Sequence, residues 1–121
     1  MRKSESRETT FAANVTDMET LHETLSRLAA SVCKGLAAEQ TSGRTITVKL
    51  RLAPFRTRTR SQTLALPTCD PEIVAATAHE LLDRFDLDAP VRLVGVGISS
   101  LQRDGEEPPE ESAAPELSLP I

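Results

Sequence analysis

Eight residues, Thr45 to Leu52, alternate without a break: Ile46, Val48, Leu50 and Leu52 are apolar, while Thr45, Thr47, Lys49 and Arg51 are polar. A period of two places these sets on opposite faces of a β-strand, so the segment demands a sheet with one buried and one open face. Upstream the period changes. Met18, Leu21, Leu25, Leu28, Val32 and Leu36 recur at spacings of three and four, which predicts an amphipathic helix. Thr16-Asp17-Met18-Glu19 reads as its capping box, with Thr16 as the cap and Glu19 reaching back, and the helix is expected to stop before Gly43.

The other elements follow from local signals. The Thr-rich stretch Ser6 to Ala12 suits a short strand. Ala53-Pro54 interrupts the alternating strand, because proline has no amide for a ladder, and Phe55 to Leu64 then reads as the second arm of a hairpin. Asp70-Pro71-Glu72 supplies a cap with proline at the first helical position, and Ile73, Val74, Thr77, Leu81, Leu82 and Phe85 continue an apolar stripe ending near Asp86. Val91 to Ile98 is β-branched and apolar, as a buried strand is. The order is βαββαβ, and the fold class is α+β: a four-stranded antiparallel sheet with both helices on one face and the other face open.

Length and composition bound what such a sheet can do. With 121 residues, 39% hydrophobic and 26% charged, the chain builds one modest domain. No apolar run approaches the ~20 residues of a membrane-spanning helix, and no charged-then-apolar signal segment opens the chain, which predicts a cytoplasmic location and no membrane partner. Cys33 and Cys69, with only His22 and His79 beside them, are too few for a disulfide framework and too scattered for a zinc site. No metal, cofactor or catalytic constellation is expected. Asp83, Asp86 and Asp88 read as a solvated helix end and turn, since Mg²⁺ sites need positioned carboxylates.

The charge is unevenly spread. Residues 102 to 121 hold six of the 18 acidic residues against Arg103 alone, together with four of the eight prolines, and are expected to form a disordered acidic tail to a domain of residues 1 to 101. Within the domain, Arg44, Lys49, Arg51, Arg56, Arg58 and Arg60 fall in 17 residues without an acid. Edge strands carry lysine and arginine to discourage aggregation, but six cations exceed that need. Thr47 on the same face, and Thr57, Thr59, Ser61 and Thr63 beside it, add hydroxyls able to donate to phosphate oxygens, so nucleic acid is the partner this stretch predicts. The chain has no Trp, no Tyr and three Phe, which favours backbone contact over base stacking. Gly95 and Gly97 share one strand face, either to admit another backbone, DNA included, or to relieve crowding.

Several blocks then stand in a recognisable order: Lys3-Ser4, Glu8-Thr9-Thr10-Phe11, Gly43 through Arg51, Phe55, Thr59-Arg60-Ser61 with Thr63-Leu64, and Pro90 through Ser99. Together, over residues 3 to 101, they resemble the C-terminal little finger domain of DNA polymerase IV-like, Y-family translesion polymerases. The resemblance implies a domain lying along duplex or primer-template DNA beside a polymerase core, touching the sugar-phosphate backbone from the major-groove side. It implies that Arg44, Lys49, Arg51, Thr59, Arg60, Ser61 and Arg92 belong to the DNA-facing surface or its immediate support; the basic stretch and the bare strand add Thr47, Arg56, Arg58 and Gly95 as DNA-binding candidates. Arg58 departs from the family, which often has an apolar residue there.

Two further expectations come from the ends. No residues precede the first block to carry the metal-binding acids of a polymerase palm, so the chain is expected to be non-catalytic by itself, an excised domain or shortened gene product that works with the rest of a polymerase. Pro115 to Ile121 looks like the peptide by which such polymerases dock on the sliding clamp, through Glu116, Leu117, Ser118, Leu119 and Ile121, with Glu116 where the family has glutamine. The competing readings are a free-standing single-stranded nucleic-acid-binding domain, or a small-molecule-sensing dimer, of ferredoxin-like fold. Poor aromatic content opposes the first, and a stable dimer without nucleic-acid affinity would mark the second.

Overall fold

The computed structural model describes residues 4 to 103. Six elements follow in the expected order: β1 (Ser4–Val15), α1 (Met18–Ala38), β2 (Thr41–Leu52), β3 (Arg56–Thr68), α2 (Pro71–Asp83) and β4 (Val91–Arg103). The sheet order is β1-β4-β2-β3 with every neighbouring pair antiparallel, so each helical crossover spans one intervening strand. β2 and β4 are central, and β1 and β3 are the edges.

Both helices lie on one face. α1 packs on β1 and β4 and α2 on β2 and β3, with the helices also against each other. Ile46, Val48, Leu50 and Leu52 of β2 point into this layer, as do Val94, Val96 and Ile98 of β4, and meet Leu21, Leu25, Val32 and Leu36 of α1 and Val74, Leu81 and Leu82 of α2. Fully burying each such Leu, Ile or Val contributes ~1.5–3 kcal/mol. Cys33 is buried in the same layer, and burial pushes its thiol up to about 11, so it behaves as a core hydrophobe.

The ends of the elements depart from the sequence reading. Asp17, not Thr16, caps α1: its backbone is extended (φ −89°, ψ 115°), and its carboxylate accepts from the Glu19 and Thr20 amides at 3.2 and 3.3 Å and from Thr20 Oγ1 at 2.6 Å. The Thr20 hydroxyl, followed by the two amides, holds Asp17 below the usual carboxylate range despite some burial cost. Asp70 caps α2 as expected, accepting from the Glu72 amide at 2.9 Å with Pro71 next. That helix ends at Asp83, so Phe85 reaches the core from the following turn, and Ile73 lies outside the buried stripe at 46% exposed. The strands run longer than their apolar patterns, because β2 and β4 pair from Thr41 opposite Arg103 to Leu52 opposite Val91, and a ladder continues wherever a partner strand supplies it. β4 thus extends to Arg103, beyond the expected boundary at Leu101.

Candidate nucleic-acid interface

Directly opposed residues in an antiparallel pair share a face, so the register assigns each side chain. In β2, Thr45, Thr47, Lys49 and Arg51 point away from the helices; opposite them in β3 stand Thr63, Ser61, Thr59 and Thr57, and in β4 Ser99, Gly97, Gly95 and Leu93. β1 continues the row with Ser4, Ser6, Glu8 and Thr10. The open face is therefore dominated by hydroxyls. Several are fixed to one another across the strands: Thr47 Oγ1 to Ser61 Oγ at 2.7 Å, and Thr45 Oγ1 to Thr63 Oγ1 at 3.0 Å and to Ser100 Oγ at 2.9 Å.

Gly95 and Gly97 floor a shallow trough of about 370 Å³, whose rim includes Ser6, Glu8, Thr47, Lys49 and Thr59. The neighbouring edge strand explains these glycines. A Cβ on Gly95 would stand 2.9 Å from Glu8 Cβ and 3.3 Å from the Arg7 carbonyl oxygen, and one on Gly97 would stand 3.2 Å from Ser6 Cβ. Crowding by β1 thus favours glycine most strongly at Gly95 and leaves only tight room at Gly97, and bare backbone on the open face is the result.

The cations divide between two faces. Lys49 and Arg51 lie on the open face, where Lys49 Nζ donates to Glu8 Oε2 at 3.2 Å. Arg92 joins them through an irregularity in the ladder: Leu93 pairs with Arg51 and Val91 with Leu52, so Arg92 is an extra residue whose bulge aims it beside Leu93. No ion pair engages Arg51 or Arg92 among the described residues. Arg44 falls within another irregularity, between Gly43 and Thr45, and is half-buried, so alternation assigns it no face.

Arg56, Arg58 and Arg60, read from the basic stretch as DNA-binding candidates, do not lie on the open face. They pair with Leu52, Leu50 and Val48, whose side chains point toward the helices, and so project on the helix side of β3. There they fasten the edge strand to the turn after α2. Arg56 binds Asp88 with two hydrogen bonds, at 2.8 and 3.3 Å, Arg58 Nη1 donates to the Asp86 carbonyl at 3.1 Å, and Arg60 lies 5.4 Å over the Phe85 ring. The Arg56 hydrogen bond holds Asp88 below the ordinary carboxylate range, helped by the charges of Arg56 and Arg58, while the same bond raises Arg56.

His22 Nε2 lies 2.8 Å from Asp83 Oδ1, and His79 Nε2 lies 2.9 Å from both Ser26 Oγ and the His22 carbonyl oxygen, so the two histidines bridge α1 and α2. No cluster of three or more His, Cys, Asp or Glu suited to a metal ion occurs among the described residues, and no described helix is long and apolar enough to cross a membrane. Glu116, Leu117, Ser118, Leu119 and Ile121 lie outside the described residues. The sequence reading missed Ser4, Ser6, Glu8, Thr10 and Ser99 as members of the open face. The alternate polar residues at 4, 6, 8 and 10 were the available signal, legible once β1 is extended to Ser4.

With this geometry in hand, the chain can be set beside known proteins. The family described as the impB/mucB/samB family C-terminal domain matches residues 2–112. The chain belongs to that family, the little finger domain of Y-family DNA polymerases of the DNA polymerase IV type. It is 47% identical over 100 residues to a DNA polymerase IV of Methanoculleus marisnigri, covering 83% of this chain and 28% of that one. A DNA polymerase IV of Streptomyces coelicolor is 43% identical over 99 residues, covering 82% and 21%. The DNA polymerase IV 2 of Agrobacterium fabrum is 37% identical over 120 residues, covering 98% and 34%. The chain thus spans between about a fifth and a third of the length of these relatives. In fold it is similar to the little finger domain of PolIV solved in complex with the β-clamp processivity factor (TM-score 0.67, 22% identity, covering 86% of this chain and 94% of that one). A Dbh DNA polymerase in a post-insertion binary complex matches with TM-score 0.74 at 15% identity, covering 84% and 29%.

Proposed function

We propose that this domain grips the sugar-phosphate backbone of duplex or primer-template DNA with its open sheet face, without reading sequence, as the positioning domain of a DNA polymerase IV-like translesion polymerase. One observation carries the reading: the sheet face left bare by the helices is lined by hydroxyls over a glycine floor, with Lys49, Arg51 and Arg92 as its cations. Hydroxyls and guanidinium groups donate to phosphate oxygens, and such contacts position a duplex without specifying its bases. The domain supplies grip, while phosphoryl transfer would belong to the rest of the polymerase. The residues after β4 would tether a clamp-docking peptide at Glu116 to Ile121, a partner suggested by the related little finger solved with a β-clamp. A cytoplasmic location alongside the DNA follows from this reading.

The test is a titration of labelled primer-template duplex, and of a single strand of equal length, with the full chain at several salt concentrations. Three phosphate contacts predict duplex preference and a log-log salt slope of about −2.7. Absence of duplex binding at low salt would refute the reading.

A further inference from the structure

The charge on the open face is not balanced from within the sheet. Lys49, Arg51 and Arg92 stand there against one carboxylate among the described residues, Glu8, which already binds Lys49 at 3.2 Å. No ion pair engages Arg51 or Arg92 among the described residues. The arginines on the helix side of β3 differ, since Asp88, the Asp86 carbonyl and the Phe85 ring occupy them. An acidic segment of this chain therefore meets its counter-charge on the open face.

β4 delivers such a segment. It ends at Arg103, beyond the Ser99 end of the glycine-floored trough. Asp104 to Glu116, outside the described residues, hold six carboxylates and no Lys or Arg. Asp104-Gly105 is a dipeptide that reverses a chain, and Pro108-Pro109 lacks the amides of a ladder, so the segment suits lying across the sheet rather than joining it. The reach also matches. At about 3.3 Å per strand residue, Lys49, opposite Gly95, lies ~26 Å back from the end of β4, and Arg51, opposite Leu93, lies ~33 Å back. An extended chain returning from Arg103 brings Glu110 and Glu111 to ~23–26 Å and Glu116 to ~43 Å, so its carboxylates span both cations.

We propose that Asp104 to Glu116 folds back along the trough of its own molecule, with Glu110 and Glu111 toward Lys49 and Glu116 toward Arg51 and Arg92, and competes there with DNA. The inference rests on the DNA-gripping reading and adds to it a regulator carried in the same chain. The segment bears one charge per ~7 Å, against ~1.7 Å along a duplex, so a duplex displaces it and still releases its own counterions. Tethering keeps the segment at an effective concentration near ~1 mM, which lets individually weak contacts hold. If it covers the face about nine-tenths of the time, apparent duplex affinity falls about tenfold.

The experiment compares the native chain with a full-length variant in which these carboxylates become amides: Asp104→Asn, Glu106→Gln, Glu107→Gln, Glu110→Gln, Glu111→Gln and Glu116→Gln. Backbone amide NMR spectra without DNA should differ at low salt at Thr47, Lys49, Gly95 and Gly97 but not along α1. They should coincide near ~1 M salt, where screening acts within about 3 Å. Labelled duplex at low salt should bind the variant about tenfold more tightly. Identical open-face signals in the two chains overturn the docking, even if the variant binds duplex more tightly through its changed net charge. Differences that grow with protein concentration overturn it as well, because they put a second copy's segment on the face. Equal duplex affinities overturn the competition with DNA. Open-face differences with no duplex binding by either chain support the docking and refute the gripping.

Discussion

The division of the basic stretch between two faces of β3 and β2 is open to a quantitative test. Lys49, Arg51 and Arg92 are to be replaced by alanine one at a time, and so are Arg56, Arg58 and Arg60. Each phosphate contact contributes about 0.9 to the log-log salt slope for duplex DNA. With three contacts from the open face, affinity should fall about 40-fold between 50 and 200 mM salt; with one removed, only about 12-fold. Arg51→Ala and Arg92→Ala should each flatten the slope by roughly that single contact. Lys49→Ala should flatten it less, because Glu8 at 3.2 Å already takes part of the Lys49 charge. The helix-side arginines should leave the slope unchanged and act on stability instead, Arg60→Ala costing about 0.5–1 kcal/mol through its lost contact with Phe85. Anisotropy titrations at four or five salt concentrations, paired with thermal melts, separate the two classes. A slope change for Arg56→Ala or Arg58→Ala as large as that for Arg51→Ala would refute the assignment of faces.

Other perturbations probe neighbouring parts of the same surface. Glu8→Gln removes the one carboxylate on the open face among the described residues and frees Lys49, so duplex affinity at moderate salt should rise about threefold with a steeper slope; an unchanged affinity in the same titration would count against Lys49 as a contact. Gly95→Ala should destabilise more than Gly97→Ala in urea denaturation, since its Cβ meets Glu8 Cβ at 2.9 Å rather than Ser6 Cβ at 3.2 Å, and the reverse order would contradict the crowding account. Asp88 has a folded pKa below its unfolded value, so the stability it contributes is present above the ordinary carboxylate range near ~3.9 and is lost as pH falls through the depressed value. Asp88→Asn should therefore show a smaller drop in Tm between pH 7 and pH 3 than the native chain.

How much of this was legible in the sequence depended on whether a feature is local. The two faces of β2 follow from eight alternating residues and appear in the structure as read, and the apolar spacing gives both helices, though not their ends. The facing of β3 does not. Its threonines and arginines alternate just as clearly, but which set shares a face with Lys49 depends on the pairing Lys49 to Thr59, which the turn fixes and the segment alone cannot reveal. Arginine on the helix side also runs against expectation for a covered face. It is tolerated because β3 is an edge strand, where helix-side positions remain partly bathed in solvent and Asp86, Asp88 and Phe85 reach them from the next turn. Arg92 was obscured in the opposite way. Strict alternation puts it and Leu93 on different faces, and only the bulge opposite Arg51 and Leu52 brings both to the open one. Thr16 and Asp17 both have capping side chains, so the choice between them rested on backbone geometry.

The two rows of β3 also bear on each other. Thr57, Thr59, Ser61 and Thr63 supply a quarter of the open face's four-strand array, yet among the described residues β3 has no strand beyond it to hold them in place. An edge strand held by one ladder opens more readily than a central one, and each opening would carry its hydroxyls out of register with Thr45 and Thr47. Arg56, Arg58 and Arg60 oppose that opening from the far side, by tying β3 to the turn between α2 and β4. The acid-free basic stretch therefore combines two tasks that charge alone does not distinguish. Arg51 on the open face is available to a phosphate, whereas the arginines of β3 neutralise Asp88 and cover Phe85, and so hold steady the surface on which a phosphate would rest.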